Sequence, residues 1–170
     1  MFATIVDKVA AVRSPAELTS AFRARGLKLT PQRQLLFRLL HDNTTHPTAE
    51  ALFAVASAQM PGISLRTVYQ TLNDLTAMGE LQCFAFDGAA SRFDPNVDAH
   101  HHVVCRACGT VADVYVHGTD GLALDGLDGF AIDRSDIVFH GVCATCADAD
   151  VHTPTHPQIP PTTTETGVTA

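Results

Sequence analysis

Apolar residues at helical spacing, separated by helix-starting and helix-ending residues, run through the first half of the chain. Val68, Leu72 and Leu75 recur at i, i+4 and i+7, which places them on one face of a helix. Thr30 followed by Pro31 is a typical helix start, with an N-cap hydroxyl and a proline at the first helical position. The pattern predicts four helices: Pro15 to Arg25, Thr30 to His41, Thr48 to Met60 (with Leu52, Val55 and Ala56 at helical spacing) and one that starts at Ser64.

Short β-prone runs replace the helical spacing after Gly79. Leu81 to Phe86, a turn at Asp87-Gly88, and Ser91 to Phe93 predict a two-stranded hairpin. Helices followed by such a hairpin are typical of a winged helix-turn-helix. In that arrangement the fourth helix enters the major groove of DNA, and the hairpin lies along the backbone.

The second half of the chain is predicted to be rich in β-strands. His102 to Cys105, Thr110 to Val116 and Ile132 to Gly141 read as strands, and residues 118–130 permit a short helix. Beyond Cys146 the chain is rich in Thr and Pro and almost free of apolar residues, which predicts disorder. We therefore divide the chain into residues 1–93, residues 94–146 and a disordered tail at 147–170.

The net charge of −7 is unevenly distributed between these parts. Residues 1–93 hold nine Lys and Arg against seven acids, a charge of +2. Residues 94–170 hold two against eleven, a charge of −9. A mildly basic first half suits a phosphate backbone, and an acidic second half suits divalent cations.

The composition favours a globular protein of the cytoplasm. Apolar residues make up 46% of the chain, but no apolar run approaches the ~18 residues of a membrane span. The first residues lack the apolar segment and cleavage site of a secretory signal. In a reducing compartment, paired cysteines are more often metal ligands than disulfides. The fifth cysteine, Cys83, stands in an apolar stretch and is predicted to be buried.

Two Cys-x-x-Cys pairs predict a structural zinc site. Cys105 with Cys108, and Cys143 with Cys146, supply the four thiolates of a tetrahedral Zn²⁺, because this spacing lets one tight turn offer two sulfurs. A redox switch of the same thiols is the alternative, since zinc-bound thiolates are also oxidised. The run of three histidines at 100–102 and the nearby acids cannot join that closed site, so they point to a second metal with harder ligands.

Five segments, in order between residues 22 and 146, resemble motifs of the ferric uptake regulator (Fur) superfamily. They are Leu27 to Arg33, His46 to Glu50, Ser64 to Leu72, His100 to Gly109 and Gly141 to Cys146. The resemblance implies a homodimeric, metal-responsive repressor of α+β fold. It implies an N-terminal winged helix-turn-helix domain and a C-terminal α/β dimerisation domain with the structural zinc.

The sensing residues resemble those of the peroxide-sensing (PerR) branch of that superfamily. The resemblance implies a regulatory Fe²⁺ or Mn²⁺ bound by three imidazoles and two aspartates: His46, Asp94, His100, His102 and Asp113. Nitrogen and oxygen ligands without sulfur suit these ions better than a thiolate cage does. It also implies that peroxide reacts with bound iron and that His46 or His100 is oxidised, which releases the DNA. This is one sensing event, not enzymatic turnover.

The fourth helix and the start of the second supply the candidate contacts to double-stranded DNA, for which we expect a palindromic operator. Tyr69 suits a thymine methyl and Gln70 suits an adenine edge. We predict groove contacts from Arg66, Thr67, Tyr69 and Gln70, and phosphate or minor-groove contacts from Lys28 and Arg33.

Three other functions stay open at this stage. An iron- or zinc-uptake regulator of the same family would differ in the metal that activates DNA binding. A small metalloenzyme would need a general base and a substrate pocket, of which the sequence gives no independent sign. A zinc-stabilised interaction module would leave the winged-helix half and the opposite charges of the two halves unexplained.

Overall fold

The computed structural model describes residues 13–86, 88–116, 128–129, 131 and 135–149. Four helices come first: α1 (Pro15–Ala24), α2 (Pro31–Leu40), α3 (Ala49–Gln59) and α4 (Leu65–Ala77). Five strands and a short last helix follow: β1 (Gln82–Phe84), β2 (Arg92–Asp94), β3 (His101–Cys105), β4 (Val111–Val114), β5 (Val138–Gly141) and α5 (Ala144–Asp148).

A hydroxyl side chain caps the start of each of the first four helices. Its oxygen accepts a hydrogen bond from a backbone N–H of the first turn, which otherwise has no partner in the helix. The four capping residues are Ser14, Thr30, Thr48 and Ser64. The four predicted helices are confirmed: the first three begin and end within one residue of the predicted bounds, and α4 begins one residue after the predicted start at Ser64.

The helical half is organised around one apolar core. Phe22 of α1 and Phe37 of α2 meet edge to face with their ring centroids 4.8 Å apart. Val68, Leu72 and Leu75 of α4 are all buried, as predicted. Val55 is a correction, because half of its surface (50%) is exposed. The buried face of α3 consists of Ala49, Leu52 and Ala56, and Val55 lies outside this narrow face.

Arg33 corrects the predicted DNA contacts. Only 8% of the residue is exposed, and its guanidinium donates hydrogen bonds to the Asp74 carboxylate at 2.6 Å and to the Lys28 carbonyl oxygen at 3.0 Å. It also lies over the ring of Phe22, 5.2 Å from the centroid. A buried cation with these partners joins α1, α2 and α4 and is not free for a phosphate.

Strands β1 and β2 form the predicted antiparallel hairpin, which we call the wing ribbon. Its register pairs Gln82 with Asp94 and Cys83 with Phe93. Cys83 is exposed, which contradicts the prediction that it is buried. In the described part of the chain β1 pairs with β2 alone, so the wing ribbon is a two-stranded sheet.

The second half contains a three-stranded sheet of order β4-β3-β5. β3 is antiparallel to β4 and parallel to β5. β5 begins at Val138: of the strand predicted over residues 132–141, residues 132–134 lie outside the described residues and residues 135–137 are not in a strand. Helix α5 was not predicted, and it continues to Asp148, past the predicted start of the tail at residue 147. Residues 150–170, and most of the possible helix at 118–130, lie outside the described residues.

The segment before α3 is attached to the wing ribbon. The Phe93 N–H donates to the Pro47 carbonyl at 3.0 Å, and Thr48 pairs with Arg92 as an isolated β-bridge. This pairing sets His46, which precedes Pro47, beside Asp94 at the end of β2.

Replacing Asp74 by Ala should lower the free energy of unfolding by about 2 kcal/mol, because it leaves a charged, buried donor without its partner. Urea denaturation at fixed protein concentration measures this. The neighbouring exposed residue supplies the control, since Asn73→Ala should change the free energy by less than about 0.5 kcal/mol. Equal effects of the two variants would contradict a structural role for the Arg33–Asp74 pair.

Candidate metal centres and DNA-facing helix

Four cysteine thiols converge where the sheet of the second half ends. Cys105 closes β3, Cys108 follows it in the turn toward β4, and Cys143 and Cys146 lie at the start of α5. Their sulfur atoms all lie within 4.8 Å of one another. The Cys108 and Cys143 sulfurs are 3.7 Å apart. A tetrahedral zinc with Zn–S bonds of about 2.3 Å has S···S edges of about 3.8 Å, so the cluster fits this ion.

Backbone N–H groups favour the thiolate form of one of these cysteines. Hydrogen bonds from the backbone N–H groups of Cys143 and Cys108 lower the pKa of the Cys105 thiol to about 6. The hydroxyl of Thr110 lowers the pKa of Cys108. Hydrogen bonds with the neighbouring sulfurs, Cys143 first, and burial raise the pKa of Cys146 to about 12, and repulsion from the Cys105 thiolate adds to the rise. Zn²⁺ among them would remove that repulsion, as it does in structural Cys₄ sites.

A second cluster lies between the two halves of the chain and is built from five buried or half-buried side chains. Its members are His46, Asp94, His100, His102 and Asp113. One nitrogen or oxygen from each lies within 4.8 Å of the others. The structure thus brings together all five residues that the sequence assigned to a regulatory metal.

The local structure explains how distant positions meet in this cluster. His100 and His102 are two residues apart at the start of β3, so both side chains lie on one face of the sheet. The β3–β4 register pairs His102 with Asp113 directly across the strands. His46 arrives from the helical half, through the pairing of residues 47 and 48 with β2, and Asp94 is the last residue of β2.

The contacts in this cluster call for a positive charge. The Nε2 atoms of His100 and His102 are 3.1 Å apart, and Nε2 of His100 is 2.8 Å from Oδ2 of Asp94. Nε2 of His46 is 2.6 Å from Oδ1 of Asp113, yet neither buried atom has a partner in hydrogen-bonding geometry. Nitrogen and oxygen atoms gathered this closely, each with a lone pair, can bind one shared cation. Three imidazoles and two carboxylates fit Fe²⁺ or Mn²⁺.

Protons supply the positive charge in the absence of a metal. Burial opposes a charge on His46, but the carboxylates of Asp113 and Asp94 outweigh it and raise the pKa to about 9. Burial likewise opposes a charge on Asp94, and contacts with His100 and His102, together with the His46 imidazole 3.5 Å away, nevertheless hold its pKa well below the usual range. An arriving divalent ion would therefore displace a proton from His46.

Neighbouring groups orient two of the imidazoles. Nδ1 of His100 lies 2.8 Å from the Asp98 carbonyl oxygen, which accepts only a hydrogen bond, so Nδ1 carries a proton and Nε2 faces the cluster. His46 has a φ of 49°, a left-handed conformation that is uncommon for any residue but glycine. Such strain is typical of positions that the surrounding structure holds for a function.

Arg92 connects the two clusters, a role that the sequence reasoning missed. Its guanidinium donates to the His46 carbonyl oxygen and to the Gly109 carbonyl oxygen, both at 3.0 Å. Gly109 directly follows Cys108. One side chain of the wing ribbon therefore ties the turn of the thiol cluster to the segment that carries His46.

The candidate DNA contacts lie mainly on one exposed face. Arg66, Tyr69 and Gln70 of α4 are exposed, and Thr67 is half-buried beside the capping Ser64. The Tyr69 hydroxyl donates to the Glu50 carboxylate at 2.6 Å, which sets the direction of its ring. Lys28 is exposed at the end of the loop before α2. Arg33 is the one candidate that is buried.

Known proteins resemble this chain over most of its length. The ferric uptake regulator family matches residues 24–140. The peroxide-responsive repressor PerR of Staphylococcus aureus (strain Mu50) is 32% identical over 135 residues, which cover 78% of this chain and 90% of the relative. The chain belongs to the ferric uptake regulator family. The resemblance found in the sequence is thereby confirmed.

Solved structures of the ferric uptake regulator family share the fold. The Helicobacter pylori ferric uptake regulator Fur matches with a TM-score of 0.63 and 18% identity, over 86% of this chain and 100% of that protein. The Vibrio cholerae ferric uptake regulator matches with a TM-score of 0.55 and 25% identity, over 74% and 99% respectively. The predicted α+β fold is confirmed. Among the described residues, no helix is both long and apolar enough to cross a membrane.

Replacing Cys143 by Ser should reduce retained zinc from about one ion per chain to a small fraction of that, and lower the melting temperature, because zinc affinity at a structural site is folding free energy. Elemental analysis after dialysis against a chelator measures the zinc. The matched control is Cys83→Ser, which removes the exposed thiol outside the cluster. Equal zinc contents in the two variants would contradict the assignment of the cluster.

Proposed function

We propose that this protein is a metal-dependent transcriptional repressor that holds a structural Zn²⁺ at its four clustered cysteines. The regulatory site is the second cluster, His46, Asp94, His100, His102 and Asp113. One observation carries the proposal. His46 lies between two helices of the DNA-binding half, yet its imidazole shares a buried cluster with strands β3 and β4.

A cation at this cluster would orient the DNA-binding half. Thr48, two residues after His46, caps α3, and α3 packs against α4. Any shift of the His46 segment therefore moves the start of α3 and, through it, the exposed face of α4. An ion that binds the joined arrangement preferentially shifts the population toward it. A preference of a few kcal/mol suffices to move such an equilibrium from mostly open to mostly closed.

The DNA-facing surface fits a duplex read in the major groove. Arg66, Tyr69 and Gln70 project from α4, Thr67 lies beside them, and Lys28 adds a positive charge before α2. A palindromic operator requires two such helices, so we propose a homodimer. Four exposed apolar residues of the second half support self-association: Val97, Tyr115, Phe139 and Val142. Because the proposed target is DNA, we expect the protein to act in the cytoplasm.

We assign the stimulus to peroxide. The relative from Staphylococcus aureus is a peroxide-responsive repressor, and the regulatory cluster here contains no thiolate. A bound Fe²⁺ would supply the electron that activates peroxide. In the net reaction, one peroxide oxygen is added to a ring carbon of His46 or His100 and the other leaves as water. An oxidised imidazole is a poorer ligand, so the tie between the two halves is lost. No turnover is involved, and the protein is not proposed to be an enzyme.

Anaerobic Fe²⁺ and Mn²⁺ should each strengthen binding to duplexes selected from a randomised library by tenfold or more, about 1.4 kcal/mol. Peroxide should then abolish binding of the Fe²⁺ form but not of the Mn²⁺ form, because Mn²⁺ does not readily donate the electron. Fluorescence anisotropy measures the binding, and peptide mass spectrometry should find one added oxygen on His46 or His100. Binding indifferent to peroxide would instead indicate an iron- or other metal-uptake regulator of the same family.

Two histidine variants provide the control for this experiment. His46→Ala should eliminate the response to either metal, because it removes the ligand from the DNA-binding half. His41→Ala, five residues earlier and outside the cluster, should respond like the unmodified protein. A metal response retained in His46→Ala would contradict the proposed coupling.

A further inference from the structure

We propose that Asn96 positions Asp113 as the fifth ligand of the regulatory site, and that it thereby strengthens the binding of Mn²⁺ and Fe²⁺ relative to that of Zn²⁺. The inference rests on the regulatory site assigned under the proposed function. It concerns a residue that offers no ligand atom itself and lies in the loop between β2 and β3.

One buried residue holds both carboxylates of the cluster. Asn96 is 8% exposed. Its backbone N–H donates to Oδ1 of Asp94 at 2.8 Å, and its side-chain Nδ2 donates to Oδ2 of Asp113, also at 2.8 Å. In each carboxylate the other oxygen faces the histidines: Oδ2 of Asp94 toward His100, and Oδ1 of Asp113 toward His46. Each carboxylate therefore presents a single oxygen to the ion.

The direction of the Asn96 amide is fixed by its surroundings. Its Oδ1 accepts a hydrogen bond from the Asp98 N–H at 3.2 Å, which identifies the oxygen side of the amide. The nitrogen side then faces Asp113 and the Tyr115 hydroxyl, which is 2.9 Å away. From the wing ribbon, the Gln82 amide donates to the Asn96 carbonyl oxygen at 3.0 Å and holds the loop in place. Both protons of the Asn96 amide are thus committed.

Asp113 is the ligand that most needs such support. Its side chain is 25% exposed, whereas that of Asp94 is 3% exposed. Without the hydrogen bond from Asn96, this partly exposed carboxylate would be free to turn toward water. Asn96 offsets that freedom by binding the oxygen that does not face the cluster. Groups that orient a ligand in this way typically contribute about 10- to 100-fold to metal affinity.

The fifth ligand matters more to some ions than to others. Three imidazoles and the Asp94 carboxylate already satisfy the four-coordinate preference of Zn²⁺. Mn²⁺ and Fe²⁺ bind nitrogen and oxygen sites more weakly than Zn²⁺ and take more ligands, oxygen among them. A well-oriented Asp113 therefore strengthens their binding more than that of Zn²⁺. Asn96 acts on metal selectivity through this one carboxylate.

The test compares Mn²⁺ and Zn²⁺ binding in the full-length, zinc-loaded protein and in Asn96→Ser. Serine can still accept the Asp98 N–H in a similar turn but is too short to reach Asp113. The Mn²⁺ dissociation constant, from the electron paramagnetic resonance signal of free Mn²⁺, should rise about tenfold or more. The Zn²⁺ constant at this site, from competition with Mn²⁺, should rise by less than about threefold, because four ligands remain. Asn73→Ser is the control and should leave both constants unchanged, since it makes the same substitution at an exposed position of α4 outside the cluster.

A double-mutant cycle separates positioning from a general loosening of the fold. In an Asp113→Asn background, Asn96→Ser should have no further effect on Mn²⁺, because the carboxylate through which it acts is gone. Additive effects, or equal weakening of Mn²⁺ and Zn²⁺, would overturn the proposal. Should the serine variant not fold, Asn96→Gln, which displaces the amide by one methylene, takes its place with the same expected loss of Mn²⁺ selectivity.

The outcomes also separate this proposal from the proposed function. If the unmodified protein binds no Mn²⁺, or if Asp113→Asn leaves Mn²⁺ binding unchanged, the regulatory site and the role of Asn96 both fail. If Asn96→Ser loses Mn²⁺ selectivity while DNA binding ignores the metal, the role of Asn96 stands and the proposed function fails. Unchanged Mn²⁺ binding by Asn96→Ser, with a metal-responsive protein, overturns the role of Asn96 alone.

Discussion

Five side chains whose lone pairs face one another need a positive charge among them, and the arrangement of the two halves depends on that requirement. One ligand atom from each of three imidazoles and two carboxylates lies within 4.8 Å of the others, and all but one of these residues are buried. A buried polar atom without a partner is costly, and two carboxylates side by side are more so. Protons on the histidines balance this charge incompletely. Nε2 of His46 and Oδ1 of Asp113 are close together, yet neither has a partner in hydrogen-bonding geometry. A divalent cation would bind one atom of each of the five side chains and supply the positive charge that they need.

The secondary structure places the five-residue cluster at the boundary between the DNA-binding helices and the three-stranded sheet. Strand alternation aligns His100 with His102, and the β3–β4 register adds Asp113. The wing ribbon brings Asp94 and, through Arg92, also holds the segment of His46 and the turn of the thiol cluster. The two metal centres are therefore connected by a single side chain.

Sequence signals between neighbouring residues predicted the helices. The features that the sequence did not reveal depend on contacts between residues that are distant in the chain. Hydroxyl caps and apolar spacing placed the four helices, because cap and stripe are properties of adjacent residues. The family motifs named the two ligand sets, which the structure brings together. Arg33 was assigned to DNA because nothing near it in sequence reveals Asp74, 41 residues away. The exposure of Cys83 and the roles of Arg92 and Asn96 depend likewise on partners that the chain supplies from other elements.

The claim that a cation joins the two halves is tested most directly by the size of the protein in solution. Small-angle X-ray scattering of the zinc-loaded protein, with and without Mn²⁺, measures the radius of gyration and the width of the distance distribution. We predict that Mn²⁺ narrows the distribution in the unmodified protein and leaves His46→Ala unchanged. Identical profiles with and without Mn²⁺, or equal compaction of His46→Ala, would contradict a regulatory ion that acts by tying the halves together.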